Sequence, residues 1–540
     1  MIRYVCKYTP VELFSGFGES CEPVEGMAAE YPEADRTGHV NLCGFGKSVI
    51  QAVYDGKVDE LVLVNCCDVM RRLYDIAKKS GKCSFLFLLD LPHEDLECSR
   101  SFFLRQILRL KDAYASYCGR KFDERLFREA FGSSDPSTKR YIGLLGARAD
   151  ASLVAFVAKK TGMRVENLTC IGTRRIPLPA GSGNDMWESY SSALLSQIPC
   201  PRMDRDGGRS ALYRDPYLAG IVYHAMKFCD FSQMQYQEDA DCFAVPSVRI
   251  ETDYTTQSEG QLATRLEAFR ETMGKREEKT MSKDGSYVAG IDSGSTSTDV
   301  VIMDRERKIV ASVIFPTGAG AKLSGDEALK KALAQANLGR HDIACVVATG
   351  YGRDYLNGDE AITEISCHAK GAFFLDPSVR TVIDIGGQDS KVIKLDDKGG
   401  VVNFAMNDKC AAGTGRFLEM MAGALGMNID QMARLGDTAK EKIVISSMCT
   451  VFAESEVVSL VAQNKDVGDI IHALDNAVAN KTAVLVNRLG MEEKVMLTGG
   501  VARNLGVVHA VERRLSVRLV VSPLAQLCGA IGASLFALDF

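Results

Sequence analysis

The chain has no surplus of positive charge: 64 Lys and Arg stand against 70 Asp and Glu, for a formal net charge of -6. With no basic cluster either, nothing in it suits a nucleic-acid backbone, and nucleic acid is not expected among its partners. Long apolar runs are missing too. No stretch reaches the roughly 18 uninterrupted apolar residues of a spanning helix, which removes a membrane from the expectations. The opening MIRYVCKYTPVELF lacks the apolar core and the small-residue cleavage site of a secretory leader, so the expected location is cytoplasmic. A GxxxxGK(S/T) phosphate loop is absent, as are short repeats and low-complexity tracts.

What is present suits a well-packed globular protein: 46% apolar and 25% charged residues, with 48 glycines. At 540 residues the chain is too long for one ordinary core and is expected to form more than one domain. Its 17 cysteines, in a reducing compartment, read as metal ligands or redox groups rather than as a disulfide framework. Twelve of them precede Asp284, so the two halves should do different work.

The charged segment RETMGKREEKTMSKDGS from Arg270 to Ser286 suits a solvated linker, and its Glu and Lys would also suit a helical one. The expected division is 1–272, a linker at 273–286, and 287–540. Before the seam, LVLVN from Leu61, SFLFLLDL from Ser84 and YIGLLGA from Tyr141 read as buried strands alternating with helices, which implies α/β architecture with parallel sheets. After it, YVAGIDSG, DVVIMD and IVASVIF read as an antiparallel meander.

Two strand ends in the second half carry an Asp followed by a glycine turn: Asp292-Ser293-Gly294-Ser295-Thr296 and Asp384-Ile385-Gly386-Gly387-Gln388. Such turns bring backbone N–H groups close to phosphates while the carboxylates hold Mg2+ through water. A third segment, Thr498-Gly499-Gly500-Val501-Ala502, would face the nucleoside. The order resembles the superfamily of actin, Hsp70 and the sugar kinases. That resemblance implies a duplicated actin/hexokinase-type (ASKHA) fold with ATP as cofactor.

Cys410 in NDKCAAGTGRFLEMM and Cys449 in SSMCTVFAESEVV each precede a helical run, whose free N–H groups and dipole would stabilise a thiolate. Two thiolates per chain would be completed to four in a two-fold dimer; taken alone, both could equally be small buried hydrophobes. The segments GIDSGSTSTD, ATGYGRD, EISCHAKGA, VIDIGGQDSKVI, MNDKCAAGTGRFL, SSMCTVFAESEV, MLTGGVARN and SPLAQLCGAIGAS resemble the ATP-dependent activators of 2-hydroxyacyl-CoA dehydratases, relatives of the benzoyl-CoA reductase ATPase subunits. The resemblance implies a homodimer bridged by one 4Fe-4S cluster on Cys410 and Cys449. It also implies a catalytic set of Asp292, Asp384 and Gln388. The nucleotide-binding residues would be Gly294, Ser295, Thr296, Gly386, Gly387, Gly413, Thr414, Gly499, Gly500 and Ala502. Cys367 and His368 match a family segment but are expected to be structural.

In the first half, YTPVELF, NLCGFGK, VNCCD, MKFCD, VRIETDY and GQLATRLEAF resemble 2-hydroxyacyl-CoA dehydratase subunits and their double-cubane cluster relatives. That resemblance puts a second iron–sulfur cluster on Cys43, Cys67 and Cys229. Cys21, Cys170 and Cys200 form a further tier, and the cluster is either a single 4Fe-4S or an eight-iron double cubane. Cys66 is expected to point away along a strand. The leading functional expectation is ATP-dependent low-potential electron transfer, with the second half reducing the cluster of the first. It would serve 2-hydroxyacyl-CoA dehydration or reduction of another small molecule, with reduced ferredoxin or flavodoxin as donor. The other readings are an activator of a separate dehydratase, a small-molecule kinase and a nucleotide-sensing regulator.

Overall fold

Strands whose every residue is apolar leave no face for water and have to be covered on both sides by helices. The computed structural model shows this arrangement in the first of two units, Met1–Phe269 and Arg270–Phe540. It describes every residue except 40, 133–138, 205–206, 256–258, 274–284, 319, 409, 437–438, 440, 442 and 446–449. Most of the expected linker thus lies outside the described residues, and Met273 ends a helix that begins at Glu259.

The first unit holds two four-stranded sheets in which every pairing is parallel. One comprises β1 (Ile2–Tyr4), β2 (Cys21–Pro23), β3 (Glu60–Val64) and β4 (Phe85–Leu89) in the order β2-β1-β3-β4. The other, β5 (Tyr141–Gly146), β6 (Val165–Asn167), β7 (Leu218–Met226) and β8 (Ser247–Thr252), repeats that order as β6-β5-β7-β8. In each sheet the winding reverses between the first and third strands, and the crevice at such a reversal, outside the carboxyl ends of the strands, is where α/β sheets bind ligands. Cys6 and Lys7 follow β1, Cys66 and Cys67 follow β3, Arg148 follows β5 and Cys229 follows β7. An aromatic cluster of Phe122, Phe127, Tyr190 and Trp187, the chain's one tryptophan, packs elsewhere in this unit.

β7 is buried along all nine residues. Its His224 has Nδ1 3.1 Å from the Ala147 carbonyl and Nε2 2.7 Å from Thr252 Oγ1. Burial holds this imidazole down to about 4. An unfolded histidine titrates near 6.5, so below that pH the unfolded chain takes up a proton that the folded chain refuses. Stability is therefore fully present above about pH 6.5 and is lost as pH falls towards 4, by about 3 kcal/mol in all. Urea denaturation followed by near-ultraviolet dichroism should show this slope, and His224→Asn should flatten it.

The second unit also contains two sheets of one topology. β9 (Tyr287–Ser293), β10 (Ser297–Asp304), β11 (Ile309–Pro316), β12 (Ile343–Thr349) and β13 (Glu360–Ala361) run β11-β10-β9-β12-β13. β14 (Thr381–Ile385), β15 (Ser390–Leu395), β16 (Val401–Asn407), β17 (Val495–Thr498) and β18 (Leu519–Val520) run β16-β15-β14-β17-β18. Each opens with an antiparallel meander and continues with parallel strands. This is the duplicated actin/hexokinase-type fold, with the helices Glu364–Leu375 and Cys528–Leu538 as corresponding elements. Glycines let these two helices touch: a Cβ on Gly532 would stand 1.8 Å from the Cys367 carbonyl oxygen, and one on Gly371 would stand 2.1 Å from that of Cys528. Among the described residues no helix is long and apolar enough to cross a membrane.

Candidate functional site

Duplication places an aspartate at the carboxyl end of the first strand of each sheet, Asp292 on β9 and Asp384 on β14. Both line one cleft of about 360 Å3, together with Gly294, Ser295, Thr296, Gly386, Gly387, Gln388, Gly499 and Gly500. The two phosphate loops meet so closely that a Cβ on Gly387 would stand 2.1 Å from Thr296 Oγ1. Three residues expected at the nucleotide do not line the cleft. Thr414 is buried and braces the second loop from behind, its hydroxyl donating to the Gly387 carbonyl at 3.0 Å. Gly413, with φ of 88°, makes the turn that puts Thr414 there, and Ala502 is buried.

The cleft contains charged groups that the sequence did not single out. His368, expected to be structural, presents Nε2 to Asp292 Oδ2 at 3.6 Å and Nδ1 to Asp384 Oδ1 at 3.4 Å. Burial pulls its pKa down, but Asp384 and Asp292 outweigh that and hold the ring charged. Lys391 reaches Asp389 Oδ2 at 2.8 Å, Asp384 Oδ2 at 3.2 Å and Glu364 Oε2 at 3.4 Å. Burial alone would raise Asp384; the cations His368 and Lys391 reverse it and keep the carboxylate ionised. Burial and the neighbouring Asp292 push Asp299 up to about 8. Its Oδ1 is buried without a hydrogen-bond partner at the cleft wall. The helix bearing Glu364 and His368 is capped by Glu271, which accepts from Thr363 N at 3.2 Å and from Ser366 Oγ at 2.5 Å. The orphaned Asp299 oxygen in a cleft that Asp292 and Asp384 also line fits a hydrated divalent cation, which takes few protein ligands directly and keeps several waters.

Cys410 lies in the loop before the helix Gly415–Ala424, partly buried, its carbonyl accepting from Asn407 Nδ2 at 3.2 Å. Cys449 lies outside the described residues.

In the first unit the three expected ligands share one local device. Cys43, Cys67 and Cys229 are the N-cap residues of the helices Gly44–Tyr54, Asp68–Ser80 and Asp230–Asp239. Free N–H groups at a helix start favour a thiolate. Cys67 is lowered to about 7, first by a hydrogen bond from Cys66 and then, against burial, by the amides of Met70 and Val69. Cys43 is raised to about 12 by burial, partly offset by the Gly46 amide, with the Cys229 and Cys67 thiols acting on it as well. Cys229 follows the strand β7.

Cys66 does not point away. β3 ends at Val64, so strand alternation no longer governs residue 66, and its thiol is held well above the usual range chiefly by the neighbouring thiols of Cys6 and Cys67. Cys6, Cys43 and Cys200 belong to one buried core of the first unit, and Cys66, Cys67, Cys170 and Cys229 pack against it, as do Cys21, Cys83 and Cys118. Cys21 stands at the start of β2, where burial, Glu12 and Arg174 set its state. No three His, Cys, Asp or Glu side chains among the described residues are close enough together to hold a single metal ion.

Comparison with known proteins divides the chain along the same line. Residues 289–537 match the model of the BadF/BadG/BcrA/BcrD ATPase family. The activator of lactoyl-CoA dehydratase from Anaerotignum propionicum is 49% identical over 255 residues, 47% of this chain and 98% of that protein. The chain belongs to the BadF/BadG/BcrA/BcrD ATPase family. Another relative within the family is the (R)-2-hydroxyglutaryl-CoA dehydratase activating ATPase of Acidaminococcus fermentans, 47% identical over 254 residues that span 46% of this chain and 96% of that one. The crystal structure of component A of the same dehydratase matches with 45% identity and a TM-score of 0.46, covering 47% of this chain and 98% of that chain. Residues 6–151 and 138–273 match the model of the 2-hydroxyglutaryl-CoA dehydratase D-component. The chain therefore joins an ATPase of the activator family to a dehydratase-component-like half.

Proposed function

We propose that this protein is an ATP-driven, low-potential electron-transfer protein in which an iron–sulfur ATPase, 287–540, serves a dehydratase-like iron–sulfur domain, 1–272, across a linker at 273–286. The observation that supports the reading is that Cys43, Cys67 and Cys229 cap three helices that border one core, in a chain whose other half is an activator-family ATPase. Cys410 and Cys449 would hold a 4Fe-4S cluster jointly with the same residues of a second copy, which makes the working form a homodimer. The cluster in the first half would be a single 4Fe-4S or an eight-iron double cubane, and Cys170 and Cys200, which border the same core, would be the further ligands of the second. When bound, both clusters would supply one-electron chemistry at low potential.

The chain's own residues have defined tasks. Asp292 and Asp384 would hold Mg2+ through water, and amides of the Gly294 and Gly386 turns would take the phosphates. Gln388 carries an amide able to orient the attacking water, as glutamine does in other nucleotide hydrolases. ATP and water yield ADP and phosphate, and the free-energy change favours one arrangement of the dimer over another. Reduced ferredoxin or flavodoxin would be the donor, and a 2-hydroxyacyl-CoA or another small molecule the acceptor. A separate dehydratase is the second reading, favoured by the activator names of the relatives.

Anaerobically purified protein should lose about four irons per dimer on the combined substitution Cys410→Ala and Cys449→Ala. Full iron loading in that variant sinks the inter-subunit cluster. In the unsubstituted protein, a second cluster signal reduced by dithionite only with MgATP supports internal transfer. Its absence points to the separate dehydratase.

A further inference from the structure

Three cationic side chains are buried in the first unit, and among the described residues none pairs with a carboxylate. Lys7 and Arg209 are 0% exposed and Arg148 is 4% exposed. Nearby Arg174, by contrast, meets Glu12 at 2.5 Å. A buried charge without a counter-charge is destabilising, and hydrogen bonds to neutral carbonyls offset it only in part.

Their contacts tie these cations to the cysteines of the first unit. Lys7 Nζ donates to Thr173 Oγ1 at 2.7 Å and to the Ile198 carbonyl. Arg209 donates to the carbonyls of Pro199 at 2.8 Å and Leu168 at 2.7 Å. Thr173 and Leu168 flank Cys170, while Ile198 and Pro199 lead into Cys200. Arg148 donates to the carbonyls of Val5 at 2.8 Å and Val24 at 2.7 Å, and lies 4.3 Å from the ring centroid of Phe45. Val5 precedes Cys6, and Phe45 is two residues beyond Cys43. The Nε atoms of Arg148 and Arg209 are buried with no hydrogen-bond partner.

Asp239 lies near Arg209 and Asp150 near Arg148, but neither forms an ion pair with them among the described residues, and the groups that offset burial at Lys7 are the thiols of Cys200, Cys6 and Cys170. The geometry points to Lys7, Arg148 and Arg209 as the positive charges that compensate a thiolate-ligated, sulfide-rich iron group here and set its reduction potential. This rests on the cluster reading of the first half given above. It assigns the cations a positioning and electrostatic role, not a catalytic one. A positive charge beside an anion that gains an electron favours the reduced form, because potential follows net charge and the groups around the sulfurs.

The test uses the full chain carrying Cys410→Ala and Cys449→Ala, so that remaining iron belongs to the first half. Lys7→Met and Arg148→Met are compared with the charge-conserving Lys7→Arg and Arg148→Lys. Readouts are iron and sulfide content, far-ultraviolet dichroism and a redox titration followed by electron paramagnetic resonance. The expected result is a midpoint shifted to more negative potential in both Met variants and restored in Lys7→Arg and Arg148→Lys. Folded Met variants that lose iron, while the charge-conserving pair keeps it, also support the role. An unchanged potential at full iron loading overturns it, as does equal loss of iron in all four variants. Iron-free parent protein removes the cluster reading itself and the inference with it.

Discussion

Asp384→Asn is expected to lower the rate of ATP hydrolysis by on the order of 100-fold or more and to destabilise the second unit by about 3 kcal/mol. Asp384 is 2% exposed and is held by three neighbours: Thr498 Oγ1 donates to it at 3.0 Å, Lys391 at 3.2 Å, and His368 stands at 3.4 Å. Asparagine keeps the shape but removes the charge, leaving a buried ammonium and a buried imidazolium with one fewer counter-charge each. Lys391 retains Asp389 and Glu364, and His368 retains Asp292, so the loss should fall at the low end for breaking a buried pair. Asp292→Asn is the informative comparison. Asp292 is more exposed, and among the described residues its ion-pair contact is to His368 alone, so activity should fall while stability is largely kept. Phosphate release and thermal unfolding measured on both variants separate the two effects. An Asp384→Asn protein that hydrolyses ATP near the parental rate would falsify its place in the site.

The second large effect comes from a single methyl group. A Cβ on Gly529 would stand 2.0 Å from Asp292 Oδ2 and 2.9 Å from His368 Nε2. Gly529 lies in the helix Cys528–Leu538, where alanine is intrinsically the better residue by roughly 0.5–1 kcal/mol. Backbone propensity thus pushes Gly529→Ala towards stability, and any loss is steric. The aspartate can yield by swinging its carboxylate away, which also pulls it off His368. A displacement of about 1 Å in a positioning group lowers rates by roughly 100-fold. The expected result is a folded protein with kcat down by about that factor and nucleotide affinity nearly unchanged. Unaltered kcat would mean that Asp292 tolerates the move.

Both predictions concern groups that the sequence exposed unequally. The strand–Asp–x–Gly units were legible because their physics is local: a buried strand, a carboxylate at its end, a turn that needs glycine. The parallel sheets of the first half were legible for the same reason, since LVLVN and YIGLLGA are too apolar to face water. His368 and Asp299 were not, because a lone histidine in EISCHAKGA and an acid two residues past a loop carry no local mark. Only the closeness of β9, β14 and the Glu364 helix in space gives them a role. Cys229 shows a different limit. Its approach, DPYLAGIVYHAMKF, is apolar almost throughout, and such a run serves a buried strand as well as a helix. Cys66 was misread because strand alternation was carried two residues past the end of the strand. Lys7, Arg148 and Arg209 are hidden for the opposite reason: cations in a sequence read as solvated until burial is known.

The lone indole of Trp187 sits in the half that lacks the nucleotide cleft, packed against Phe122, Phe127 and Tyr190. Its light emission is therefore a one-sided reporter. Nucleotide bound at Asp292 and Asp384 has no indole beside it in its own unit to quench. Any change in emission colour or lifetime on adding MgATP would therefore report what the second unit does to the first, and its rise time would clock that effect.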